Sequence, residues 1–213
     1  VDIARHLDEV LSTGQILHQL WRDIEGTGDI PPEWVDFLAL EQQAAEIREY
    51  HPVLIPGLLQ ADGYIRWVFK RAYDSSGVSE KAVAARLARL GSLKSEVRVR
   101  VVIDEVVLGR VSESADVMRE QYDHIRQLAE AEKAIVMILP GYAPWRPIAT
   151  GGFRIMTLEG GRQIVHVSHM GGHAVKENPS EAAALVSFFG DLQAESLSPT
   201  ESLALLKKMR DEL

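Results

Sequence analysis

The chain has 213 residues, 46% of them apolar and 25% charged, with a net charge of −8 and no cysteine. Such values belong to ordinary globular chains; they exclude disulfides, thiolate metal sites and cysteine nucleophiles, and they argue against a nucleic-acid surface, which is normally basic. No apolar run reaches the roughly 18 residues of a membrane span and no signal peptide is visible, so the cytoplasm is the expected compartment and no membrane contact is expected.

Residues 3–13 and 15–24 read as two short amphipathic helices, with stripes of Ile3, Leu7, Val10 and Leu11 and of Leu17, Leu20, Trp21 and Ile24. Helices this short are unstable alone, so their stripes need the body of the domain or a second subunit. The turn-rich EGTGDIPP (25–32) is a boundary signal. The expected division is a helical linker or dimerisation segment over 1–30 and a regulatory domain over 31–213.

Trp34, Phe37, Leu38, Glu41 and Ala45 then share one helical face, and Arg48 follows Glu41 by two turns. Pro52 biases His51 away from helix, which predicts an end near Glu49 or Tyr50. VLIPGLLQ (53–60) forms an apolar hook around a Pro-Gly turn, and a new helix starts near Gln60. Charges on an apolar stripe are costly unless paired. Two readings are open: a structural Glu41–Arg48 ion pair that pins the hook, or a polar pocket floor of Glu41, Arg48, Tyr50, Gln60 and Tyr64 facing a ligand or partner.

Ser79 is a plausible cap for a helix over 80–92 with a narrow stripe of Val83, Leu87 and Leu90. Between Arg66 and Arg100 nine basic residues stand against three acidic ones, which reads as solvated faces or as a docking face for an acidic partner or for DNA phosphate beside a separate DNA-binding domain. From Val97 to Ile103 the period becomes two, a half-buried strand. Asp104 and Glu105 come next; successive strand side chains diverge, so Asp104 is better read as a helix cap than as half of a catalytic dyad. Ser114 caps a helix over 115–132, and AIVMILPG (134–141) has strand composition. The loop 142–152, with Trp145 and Arg146, is either a binding element or a plug over the sheet end.

FRIMTL (153–158) and QIVHVSHM (163–170) are strands joined by the hairpin connection EGGR, and GGHAVKE comes after them as a turn with a candidate edge strand. Asn178-Pro-Ser-Glu and Ser198-Pro-Thr-Glu are two strong helix starts. The expected fold is α+β, a small, mainly antiparallel sheet flanked by helices from both ends of the chain. His166, His169 and His173 cluster at a strand end but match no metal-ligand spacing; a pocket-lining role for His166 and His169 is the better reading. There is no GxSxG elbow and no GxGxxG after a strand. No catalytic residue, metal or cofactor is expected.

The order L-E-x-x-A-x-x-I-R-x-Y-x-P-x-L-I-P-G-L-L-Q over Leu40–Gln60, with Tyr64 beyond it, resembles the C-terminal domain of actinobacterial Cro/repressor-like (XRE-type) helix-turn-helix regulators. Further echoes are VAARLARL (83–90), VVIDEVVLGR (101–110), GGFRIM (151–156) and SPTESLALLKKM (198–209). The resemblance implies a domain of unknown function in an antitoxin-like regulator, with a DNA-binding domain before Val1 that is absent from this chain. It also implies a small protein encoded nearby, or a small-molecule effector, as the partner. A homodimer through the N-terminal stripes is a further expectation. The alternative is a ligand-sensing or degenerate enzyme domain acting on a nucleotide-like molecule.

Overall fold

The computed structural model describes residues 32–72, 78–110, 114–143, 151–169 and 172–213, with isolated positions 6, 10 and 149. The chain divides into two compact units, Val1–Ala39 and Leu40–Leu213. The boundary falls inside helix α1 (Pro32–Gln43), and the whole sheet belongs to the second unit.

Glu41 closes the last turn of α1, and the chain then becomes strand β1 (Ala44–His51). This corrects the expected continuation of the helix to Glu49 or Tyr50. Leu40, Ala44 and Ile47 do fit a helical period, but the segment is drawn between two neighbouring strands and is buried on both faces. A strand of that kind loses the clean alternation that would betray it in sequence.

After the hook, with a 3-10 turn at Gly57–Leu59, come α2 (Asp62–Ala72), α3 (Glu80–Ala88) and a second 3-10 turn at Leu90–Ser92. Strand β2 (Arg98–Asp104), the short α4 (Glu105–Leu108), α5 (Ala115–Glu130) and β3 (Ile135–Leu139) are next. Strands β4 (Phe153–Leu158), β5 (Gln163–His169) and β6 (Gly172–Lys176) lead into α6 (Pro179–Ala194) and α7 (Pro199–Asp211).

The six strands form one sheet in the order β3-β2-β1-β4-β5-β6. β1, β2 and β3 run parallel, whereas β1–β4, β4–β5 and β5–β6 are antiparallel. The fold is therefore α+β, with a mostly antiparallel sheet and helices from both ends of the chain. β1, missed in the sequence, is its central strand. The expected edge strand after His169 is β6.

The caps read from sequence are in place. Ser79, Ser114 and Asn178 each accept a hydrogen bond from the first turn of their helix, and Ser198 and Glu201 complete a capping box. Asp104 caps α4 through the Val106 amide, at 3.2 Å. Gly160 and Gly161 both sit at φ +86°, the left-handed region that the β4–β5 hairpin requires and that only glycine enters freely.

The two faces of the sheet differ. On one face Tyr50, Val102, Met137, Leu139, Phe153, Ile155 and Val165 pack against Ala182, Phe189 and Leu192 of α6. On the other, alternation places Ile47, Val99, Val101, Ile103, Val136, Ile138, Met156 and Ile164, all buried. Both parallel crossovers, through α2 and α3 and through α4 and α5, are expected on this second face, since such connections are right-handed. β3 is an edge strand, and the chain blunts it: Ile138 donates its amide to Ser202 Oγ at 2.9 Å and accepts from the Leu197 amide at 2.9 Å.

Candidate functional site

The second face carries charge where a core is expected. Glu41, Glu49, Arg89 and Arg154 are all buried, and they are joined. Arg89 clamps Glu41 with two bonds, Nε to Oε1 at 3.1 Å and Nη2 to Oε2 at 2.5 Å. Arg154 donates one Nη to Glu41 Oε2 and the other to Glu49 Oε2, the latter at 2.5 Å. In-register pairing makes this inevitable for Glu49 and Arg154: they are direct partners across β1 and β4, and side chains at such positions lie side by side. His166 is the partner of Arg154 across β4 and β5 and is also buried. The network thus ties the end of α1, the central strand, the end of α3 and β4 into one unit.

Electrostatics are set by burial. Burial pushes the Glu49 carboxyl up to about 7, with Arg89 and then Arg86 pulling it back. The same burial lowers Arg154 to about 9, and Arg89 to about 10 with Glu49 opposing. Both guanidiniums stay cationic at neutral pH, while Glu49 sits where a proton is gained or lost near neutrality.

The hook borders this network. A Cβ on Gly57 would lie 2.9 Å from Arg86 Nη1 and 3.4 Å from Arg89 Nη1, so the Pro-Gly turn runs against two guanidiniums. Arg86 also stands over the Phe69 ring at 5.3 Å and reaches Gln60 Oε1 at 3.4 Å. Gln60 Nε2 closes the hook on the Ile55 carbonyl at 2.7 Å, and Tyr64 Oη accepts from the Ile55 amide at 3.3 Å. Gln121 of α5 clasps the far side, donating to the Leu59 carbonyl at 2.7 Å and accepting from the Ala61 amide at 2.8 Å.

The expected pocket floor is therefore split across the sheet. Glu41, Gln60 and Tyr64 belong to the network and the hook beside it, and His166 to the same face. Arg48 and Tyr50 face the opposite way, two positions apart on β1. Arg48 pairs with Glu46, at 2.7 Å, and not with Glu41; the expected Glu41–Arg48 pair presupposed a helix continuing past Gln43, where α1 in fact ends. Tyr50 is a core residue of the α6 face, its hydroxyl 3.1 Å from Asp104 Oδ2. Asp104 and Glu105 do not form a dyad: Glu105 Oε2 instead accepts from the Gly141 amide at 2.7 Å. Trp145 lies outside the described residues. His169 is placed in β5 by its backbone, and its side chain lies outside what is described, as does that of His173.

Glu49, Arg89 and Arg154 escaped the sequence reading. Arg154 did leave a signal, a lone arginine inside the apolar strand FRIMTL, which has to be either surface or paired. Arg89 was counted among the basic residues of 66–100 as part of a solvated or docking face; it is buried against Glu41.

The family model described as Domain of unknown function (DUF5753) matches residues 34–208. No curated protein matches the chain.

Proposed function

The chain belongs to the DUF5753 family of domains of unknown function, and from that premise we propose that it is the regulatory domain of a cytoplasmic helix-turn-helix transcriptional regulator of the Cro/repressor-like (XRE) type. It takes up a small protein or small-molecule effector and so biases a DNA-binding domain joined to its N-terminal side, in the manner of an antitoxin-like regulator. The motif order over Leu40–Gln60 supports the regulator type.

One observation supports the mechanism: Glu41, in the last turn of α1, is held by two buried arginines from distant parts of the fold. α1 is the helix through which the chain enters this unit. A partner that moves the hook or α3 shifts Arg86 and Arg89, and with Arg89 the anchor of that helix. A buried ionic network is the kind of element that has discrete arrangements rather than a continuum. The effector supplies the free energy by binding one arrangement more tightly than the other. No helix of the described residues is long and apolar enough to cross a membrane.

A small-molecule effector is the second reading, and the buried Glu49 with a carboxyl near neutrality favours it. Perturbed carboxylates concentrate at ligand and catalytic sites, although structural networks produce them too. Affinity capture of the chain from its native cytosol, with mass spectrometry of proteins and small molecules, separates the two. A stoichiometric small protein supports the first reading and a retained small molecule the second. Capture of neither, at native concentrations, contradicts both.

A further inference from the structure

The face of the sheet that packs against α6 carries a second charged group. Arg98 and Arg100 on β2 and Glu46 and Arg48 on β1 share that face by strand alternation. Arg48 and Arg100 are direct register partners, as are Glu46 and Arg98. Like charges placed opposite one another on adjacent strands destabilise a sheet, yet these two arginines stand opposite one another on the neighbouring strands β1 and β2. Glu46 reconciles them only in part. It is buried, and its two oxygens receive Arg48, at 2.7 Å, and Arg100. Both guanidinium side chains remain about a quarter exposed, 25% and 26%, and Arg98 beside them is exposed. One carboxylate receives two arginines, with Arg98 beside them, an excess of two positive charges among these four residues.

A second observation points the same way. Thr157 on β4 is the register partner of Glu46, so its side chain stands beside the carboxylate. Its Oγ1 is buried and has no hydrogen-bond partner among the described residues. A buried hydroxyl without a partner costs about 1–3 kcal/mol, and a ligand oxygen placed between the arginines would supply that partner.

We infer that Arg48, Arg100 and Thr157, with Arg98 at the rim, form a binding site for a phosphate group. Two guanidinium forks on strands about 4.8 Å apart can both reach one tetrahedral anion, and a dianion matches the local excess of charge. Arginine forks fit phosphate oxygens in pairs. An acidic protein is a poorer occupant. Its footprint, about 800 Å² per partner, would extend past three arginines onto a chain of net charge −8, whereas a small anion meets only the patch at a screening length of about 8 Å. The site is on the face opposite the Glu41 network, and its test needs neither DNA nor a protein partner, so it stands or falls separately from the regulator reading.

Calorimetric titration of the chain with inorganic phosphate, and in a parallel arm with ribose 5-phosphate, tests it. Saturable one-to-one binding is expected. Arg100→Gln should weaken it at least tenfold, and Arg66→Gln, whose arginine is engaged by Asp62 and Glu80 elsewhere, should leave it unchanged. Tighter binding of the sugar phosphate identifies an organic ester as the ligand; equal binding identifies the free anion. Thr157→Val gives an independent readout. It should weaken phosphate binding severalfold while leaving the melting temperature of the phosphate-free chain unchanged or higher, because the hydroxyl it removes is unsatisfied there. Absence of saturable binding by the unaltered chain, or a folded Arg100→Gln variant that binds as tightly, would overturn the inference. So would a Thr157→Val variant that loses stability without losing affinity.

Discussion

Arg154 holds two carboxylates at once, and its removal is the most informative single change. Arg154→Met leaves Glu49 buried without its guanidinium partner and Glu41 with Arg89 alone. Breaking one side of a buried pair costs about 3–5 kcal/mol, to be read as a loss in unfolding free energy by urea denaturation. The double variant Glu49→Leu/Arg154→Met should recover most of that loss, since replacing a whole buried pair by apolar groups is close to neutral. Glu49 itself makes stability depend on pH. Its folded value of about 7 lies above the ordinary 4.5, so the folded state keeps the proton that the unfolded chain has already released. The contribution is full below about pH 4.5 and is lost as pH rises to about 7. Relative to Glu49→Gln, the unaltered chain should lose stability across that window, by at most about 3 kcal/mol, and track the variant above it. Parallel curves from about pH 4 to 8 would show that Glu49 ionises normally.

At the level of elements, the hook is held by side chains as well as by its own turn, in which the Leu59 amide donates to the Pro56 carbonyl. Gln121 is fully buried and makes two bonds to the backbone at Leu59 and Ala61. Gln121→Leu keeps the volume but strands a carbonyl and an amide, and should cost about 2–6 kcal/mol at about 1–3 kcal/mol per unsatisfied group. Amide exchange should show the loss first at Leu59 and Ala61. Gly152 restrains the other end of β1. A Cβ there would lie 2.5–2.9 Å from the His51 ring, so Gly152→Ala must displace the ring that accepts from the Val53 and Leu54 amides. His51 chemical shifts should move, and stability should fall by about 1–3 kcal/mol, the usual cost of overpacking.

These elements also show what the sequence could and could not reveal. The caps at Ser79, Asp104, Ser114, Asn178 and Ser198 were legible because capping depends on a few adjacent residues. The strands of 97–103, 134–139, 153–158 and 163–168 were legible as period two or as short apolar runs. β1 was not: the helical spacing of Trp34, Phe37, Leu38, Glu41 and Ala45, carried on to Arg48, won over a strand preference that exists only once β2 and β4 lie on either side. The site failed with it. Taking Ala44–His51 as helix put Glu41 and Arg48 on one face, whereas a strand sends Glu49 to the network and Arg48 to the opposite side. Gln60 and Tyr64 lie in the hook beside the network, where they bond the Ile55 backbone and Gln60 also reaches Arg86.

On the scale of the whole molecule, the sheet separates two charged groups. One face buries a network at the root of α1, and the other leaves Arg48 and Arg100 partly exposed. If the first couples an effector to a DNA-binding domain, the coupling should be of the usual size, about 1–3 kcal/mol or 5- to 150-fold in affinity. The decisive measurement is fluorescence anisotropy of the full gene product on the DNA upstream of its own gene, with and without the protein or small molecule that the chain captures. Sequence-specific binding is expected, with an affinity that shifts at least fivefold on loading and a much smaller shift in a folded Glu41→Gln variant. A gene product that does not bind that DNA, or binds it equally well loaded and unloaded, would contradict it.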